Sequence, residues 1–153
     1  MEDAKAGRRV QSVLFVCAHN SIRSPMAEAL ARHYFGKSIY CQSAGVRQGE
    51  RDPFMVAALD EIGIDLSRHR PKSFDDLEDD YFDLVISLSP EAQHRAVELT
   101  GTSSCEIEFW PTMDPSLVTG SREMQLDAYR ALRDHLLRRL SVRFPPGGAP
   151  VMV

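Results

Sequence analysis

The stretch "VLFVCAHNSIRSPMAEAL", Val13 to Leu30, constrains the chain more than any other. Val13 to Val16 is an unbroken apolar run, the pattern of a strand buried on both faces, as in a parallel sheet. The run ends at Cys17, crosses a short and mostly polar loop, and turns helical at Ser24-Pro25, where a first helical turn accepts proline. Such a passage from strand through tight loop to helix collects unpaired backbone N–H groups around one point, and the helix dipole adds partial positive charge there. The predicted product is an oxyanion cradle built from Ala18, His19, Asn20, Ser21 and Ile22. The field that holds an oxyanion also stabilises a thiolate, which makes Cys17 a candidate nucleophile. Arg23 offers a fork that matches the oxygens of a tetrahedral oxyanion, and the Ser24 hydroxyl is placed to donate to the sulfur.

Further short apolar runs at Ser38 to Ala44, Leu84 to Leu88 and Glu106 to Trp110 predict three more strands. Helical patterns lie between them. The first puts Met26, Leu30 and His33 on one face, with Ala29 beside them. The second opens at Asp52-Pro53, with Asp52 as N-cap and Gly63 as the stop. A third starts near Pro90, and the last carries Leu126, Tyr129, Leu132, Leu136, Leu137 and Leu140 at helical spacing. Strands alternating with helices predict an α/β fold: a doubly wound, four-stranded, mainly parallel sheet with helices on both faces. Sheets of this kind bind ligands at the carboxyl ends of their strands, where Cys17 falls. With 153 residues, one domain spanning 1–153 is expected, folded from about 10 to 143 with both tails flexible, the last being "FPPGGAPVMV".

Bulk properties narrow the function. A formal net charge of -4 and a pI near 5.7 argue against a broad nucleic-acid footprint but leave room for a local anion site. No apolar run approaches the roughly 20 residues that span a bilayer, and "MEDAKAGRRVQS" lacks the pattern of a secretory leader. Three cysteines with no Cys-x-x-Cys pair suggest neither a disulfide framework nor a zinc site, so a reducing cytoplasm is expected. The histidines at 19, 33, 69, 94 and 135 show no ligand spacing, and neither a metal nor a cofactor is expected. The acidic run Phe74 to Asp83 reads as a solvated face, Phe109 and Trp110 as core, and Arg47 and Arg51 as rim residues favouring acidic substrates.

The segment around Cys17 resembles the phosphate loop and first helix of the low-molecular-weight protein tyrosine phosphatases and of their relatives of the same fold, the arsenate reductases. Cys17, Asn20, Arg23, Ser24 and Pro25 stand in matching places. "SAG" at Ser43 to Gly45, "GIDLSRHR" at Gly63 to Arg70, "FDLVISL" at Phe82 to Leu88 and Asp114-Pro115 follow in family order, so the resemblance runs from about Val13 to Leu140. It implies that Cys17 attacks phosphorus to form a phosphocysteine, Arg23 clamps the phosphate, Asn20 holds the loop with Ser43 as partner, and Asp114 is the general acid. The implied activity is hydrolysis of phosphomonoesters, on protein phosphotyrosine or small aryl phosphates. Departures point to an alternative. The aromatic slot of phosphotyrosine-preferring members is missing, since the relevant loops read "VRQGERDP" and Ser116-Leu117. The short "SAG" loop and "HNS" are nearer to the arsenate reductases. Ser89 and Ala96 stand where thioredoxin-coupled reductases carry two further cysteines, and Cys41 and Cys105 read as core thiols. An arsenate reductase would therefore need an external thiol to resolve the Cys17 adduct. Ile22 takes the place of a second loop cysteine, so no protective disulfide with Cys17 is expected.

Overall fold

The computed structural model describes residues 10–101 and 104–144. Four strands, β1 (Ser12–Cys17), β2 (Tyr40–Gly45), β3 (Leu84–Ser87) and β4 (Glu106–Phe109), form one sheet in the order β2-β1-β3-β4. Every neighbouring pair is parallel, which goes further than the mainly parallel sheet expected. Four α-helices connect and follow them: α1 (Arg23–Phe35), α2 (Pro53–Asp60), α3 (Pro90–Thr100) and α4 (Arg122–Arg143). Single 3-10 turns stand at Phe74–Asp76 and Pro115–Leu117.

Side chains of β1 alternate between two cores, as strand geometry requires. Val13, Phe15 and Cys17 pack with α1, α2 and α4 in the larger core, whereas Leu14 and Val16 pack with Ala92 and Ala96 of α3 in the smaller one. Helices therefore cover both faces, which is why β1 reads as a continuous apolar run. The chain leaves β1 to one side for β2 and later returns to the other side for β3, so the loop after Cys17 sits at the point where the winding reverses. Crevices at such points are where open α/β sheets take ligands.

The second helix starts as its sequence predicts. Asp52 Oδ1 accepts from the amides of Phe54 at 2.8 Å and Met55 at 3.2 Å, Pro53 occupies the first turn, and Gly63 takes φ +84° just after the helix, a value glycine adopts without strain. The other carboxylate oxygen of Asp52 accepts from Tyr129 Oη at 2.9 Å, which ties α2 to α4. In the acidic run, Asp83 is not merely solvated: its Oδ2 accepts from the amides of Gln11 and Ser12 and anchors the start of β1.

Some expectations fail locally. His33 is exposed, because the buried stripe of α1 runs through Met26, Ala27, Leu30, Ala31 and Phe35 instead. Phe109 is 40% exposed on the edge strand while its neighbour Trp110 is buried. Phe144, assigned to the flexible tail, is buried with its ring 6.4 Å from that of Phe35. The remainder of both expected tails lies outside the described residues.

The cap and the Tyr129 bond set a first expected outcome. Asp52→Ala removes acceptors from two amides and one buried hydroxyl and should cost about 1–3 kcal/mol, read from the urea midpoint at constant m. Asp52→Asn, which keeps the cap oxygen, should cost less.

Candidate active site

Backbone geometry makes the loop between β1 and α1. Asn20 has φ +57°, the single left-handed non-glycine residue among those described. Asparagine tolerates that region better than most residues because its short side chain can hydrogen-bond locally. Here the side chain is fully buried and spends every donor and acceptor. Its Oδ1 accepts from the Lys72 amide at 3.0 Å, and its Nδ2 donates to Ser24 Oγ and Ser43 Oγ, both at 2.9 Å. The Lys72 amide can only donate, which fixes the orientation of the Asn20 amide group.

The loop carbonyls are held from outside. Those of Cys17, Ala18 and His19 accept from the amides of Val46 at 3.0 Å, Arg47 at 2.9 Å and Gly49 at 2.9 Å. The carbonyl of Asn20 accepts from His69 Nε2 at 2.8 Å, and that of Ile22 accepts from Met26 in the first turn of α1. Among the described residues, the amides of Ala18 to Ile22 have no protein acceptor. The segment that follows β2 lies so close that a Cβ on Gly45 would sit 2.6 Å from the Arg47 carbonyl and 2.7 Å from the Asn20 amide nitrogen. Glycine is therefore required in "SAG".

Cys17 Sγ, at the end of β1, is 2.9 Å from Ser24 Oγ. Proton directions follow from the network. Ser43 donates to the Glu28 carboxylate, which also pairs with Arg32 at 2.6 Å, and Asn20 donates to both serines. Ser24, which accepts from Asn20, has its proton free for the sulfur at 2.9 Å or the Ala44 carbonyl at 3.5 Å, and the nearer choice suits an anionic nucleophile. Arg23, half-buried at the start of α1, donates from Nη1 to the Thr112 carbonyl at 3.0 Å. Thr112 is bonded in turn to the Leu88 carbonyl at the end of β3, and Asp114 stands two residues further on. One guanidinium thus ties the start of α1 to the loop that carries the carboxylate. Asp114 Oδ1 accepts from the amide and hydroxyl of Ser116 at 2.9 and 2.7 Å.

Comparison with known proteins fits this arrangement. A family model for low molecular weight phosphotyrosine protein phosphatases matches residues 12–135. The chain belongs to that family. Its relatives include the glutaredoxin arsenate reductase of Synechocystis sp., 35% identical over 131 residues, covering 86% of this chain and 94% of the relative. The arsenate reductase of Bacillus subtilis is 30% identical over 128 residues, covering 84% and 91%. Among solved structures, the low molecular weight protein tyrosine phosphatase of T. tengcongensis superposes with a TM-score of 0.68 at 28% identity, covering 85% of this chain and 95% of that one. The phosphatase family fold thus carries two named activities among this chain's relatives.

Most of the predicted site residues meet at the loop. Cys17, Asn20, Ser24 and Ser43 form one buried network, and Ala18 and Ser21 border it partly exposed. Ile22 turns its side chain into the core and offers only its amide, while His19 is exposed. Asp114 joins through Thr112 rather than by contact with the network. Sequence reasoning missed Glu28, Lys72 and Thr112. Glu28 was detectable in principle, being one helical turn after Ser24 and so on the same face of α1. Lys72 and Thr112 act through backbone atoms, which leave no side-chain signature. Among the described residues no group of three or more His, Cys, Asp or Glu is arranged to hold a metal ion.

Two outcomes follow. Asn20→Ala loses three hydrogen bonds and a favourable residue at positive φ; a loss of about 1–3 kcal/mol at this position should weaken inorganic phosphate binding by about tenfold or more, read by calorimetry. Burial holds the His69 imidazole below its ordinary range, so the folded protein keeps it neutral while the unfolded chain protonates near pH 6.5. Its contribution to stability is complete above that pH and is lost as the pH falls through the lower, folded value. Denaturation midpoints from pH 7 to 5 should therefore fall more steeply for the wild type than for His69→Gln.

Proposed function

We propose that this protein is an arsenate reductase in which Cys17 attacks the oxyanion and an external thiol resolves the adduct. The reductase reading is carried by relatives of that name matched over more than nine-tenths of their length, and the placement of the chain's three thiols makes the resolving thiol an external one. Cys41 pairs with Val13 in the sheet, four positions before Cys17 on β1, or about 13 Å away along the strand at ~3.3 Å per residue. Cys105 immediately precedes β4, whose Glu106 is level with Leu84 and hence with Val13. Both lie at the opposite end of the sheet, whereas a disulfide needs Cα atoms within about 7 Å. Burial also pushes the Cys41 thiol up to about 11, as expected of a core thiol. Ser89 caps α3 and Ala96 packs in the smaller core, so α3 supplies no sulfur either.

The chemistry balances with two external thiols. Cys17 sulfur displaces an oxygen of arsenate, lost as water, and forms a sulfur–arsenic(V) bond. A thiol attacks the Cys17 sulfur, the sulfur–arsenic bond breaks with its electron pair going to arsenic, and arsenite leaves. A second thiol reduces the resulting mixed disulfide, giving an external disulfide and free Cys17. Loop amides and Arg23 bind the tetrahedral oxyanion throughout. Support comes also from the names of the relatives, one of which joins glutaredoxin to arsenate reduction. This reverses the order reached from sequence, where the phosphatase stood first. A supply of reduced thiols fits the expected cytoplasmic location.

A second reading, hydrolysis of phosphomonoesters, is favoured by Asp114. Cys17 would take the phosphoryl group, the Asp114 carboxyl would protonate the leaving oxygen, and the carboxylate would then activate water. Exposed Met113 and Leu117 flank Asp114 where an aromatic wall would grip a phenyl ring, so small phosphoesters suit it better than protein phosphotyrosine.

One assay decides. Arsenite should form with glutathione and glutaredoxin present, vanish in Cys17→Ser, and persist in the Cys41→Ala, Cys105→Ser double variant. Absence of arsenite with every thiol system, beside steady turnover of an aryl phosphate, would overturn the reductase in favour of the phosphatase.

A further inference from the structure

Beside the loop lies an exposed cluster whose side chains take no part in the buried network described so far. Arg47 follows the "SAG" turn, and its amide is bonded to the Ala18 carbonyl, one residue from the nucleophile. Its guanidinium makes a two-point ion pair with Glu91 in the first turn of α3: Nη1 donates to Oε1 at 3.2 Å, and Nη2 donates to Oε2. The same Nη1 lies 3.5 Å from His19 Nε2. The side chains are 52% and 47% exposed, and water screens an exposed pair of this kind. It opens readily.

We propose that Arg47, with His19 beside it, is the docking site for a carboxylate of the resolving thiol, and that Glu91 occupies it in the resting protein. This rests on the reading of Cys17 as a thiolate resolved from outside. Three observations lead to it. First, the fork already holds a carboxylate in the two-point geometry that a ligand carboxylate would adopt. Second, the cluster stands at the rim of the loop: the Arg47 amide holds the carbonyl of Ala18, the residue after Cys17, and His19, beside the guanidinium, is two residues from Cys17. Third, the protein carries a net charge of -4, so an anionic thiol approaching the loop needs a local cation. Glu91 makes the site selective: an uncharged thiol gains nothing by displacing it, whereas a carboxylate exchanges one ion pair for another.

The ligand class is a small peptide thiol bearing free carboxylates, with glutathione as the probe. Disulfide exchange tests the site without arsenate. The Cys17 thiolate attacks one sulfur of glutathione disulfide, the Cys17–glutathione bond forms, and glutathione thiolate leaves; with hydroxyethyl disulfide the same exchange occurs without a carboxylate. Rates are read by mass spectrometry of the Cys17 peptide. The ratio of the charged to the uncharged reagent should fall at least about fivefold in Arg47→Ala and rise in Glu91→Gln, where the cation is released from its internal partner. A ratio unchanged within about twofold in both variants overturns the docking site. Glu91 is exposed, so Glu91→Gln keeps the test decisive if Arg47→Ala folds poorly. Because no arsenate is present, failure here is distinct from failure of the reductase: arsenite formed with an uncharged dithiol and an unchanged ratio would remove the docking site alone.

Discussion

The site depends on one residue being held in a conformation that the chain would not choose alone. Asn20 turns the loop through the left-handed region, and its neighbours must then present their amides with no secondary structure to satisfy them. A lone residue at positive φ costs of the order of 1–3 kcal/mol, and a turn of this kind persists only when its surroundings over-determine it. They do. The Asn20 side chain bonds to Ser24, Ser43 and Lys72, and its carbonyl to His69, so α1, β2 and the 69–72 segment all grip one residue. The same side chain that fixes the turn also donates to Ser24 Oγ, which lies 2.9 Å from the sulfur. Loop shape and sulfur environment are thus set by one interaction.

A collar outside the loop explains how amides stay available for an anion. Val46, Arg47, Gly49 and His69 use the carbonyls from Cys17 to Asn20, and each bond pins a peptide plane whose N–H has no protein acceptor among the described residues. The collar can approach so closely because Gly45 has no side chain. Gly45 also donates its amide to the Lys72 carbonyl, joining the two halves of the collar. The chain therefore assembles its anion site from three separate segments, each brought to the carboxyl edge of a parallel sheet whose order places β1 between β2 and β3.

How much of this was legible in sequence depended on which atoms do the work. Where side chains act locally, the reading was good: Cys17, Arg23, Ser24 and Pro25 mark the loop and helix start, and Asp52 and Gly63 bracket the second helix. The central strands β1 and β3 were visible because strands buried on both faces need continuous apolar runs, whereas the edge strands β2 and β4 mix polar and apolar residues. Local pattern misled where tertiary packing chose between similar options. In α1 the small residues Ala27 and Ala31 let the helix press against the core, and His33 was left outside. Phe144 sits in a Pro- and Gly-rich tail by composition yet finds Phe35 to pack on. Lys72 and Thr112 could not be read at all, since only their backbone atoms contact Asn20 and Arg23.

The parallel sheet also decides which of the chain's thiols can reach Cys17. Its strands all run the same way, so the sheet has a carboxyl edge and an amino edge, and a residue cannot change edge without changing its register. Cys17 ends β1 at one edge; Cys41 and Cys105 enter β2 and β4 near the other. Bringing either to Cys17 would mean breaking the sheet, not shifting a loop. A helix could shuttle sulfur instead, but α3 begins with the Ser89 cap and Pro90, buries Ala92 and Ala96, and carries no cysteine. Cys17 therefore has no second thiol of its own chain within disulfide reach, and on the reductase reading proposed above the reducing equivalents come from outside it.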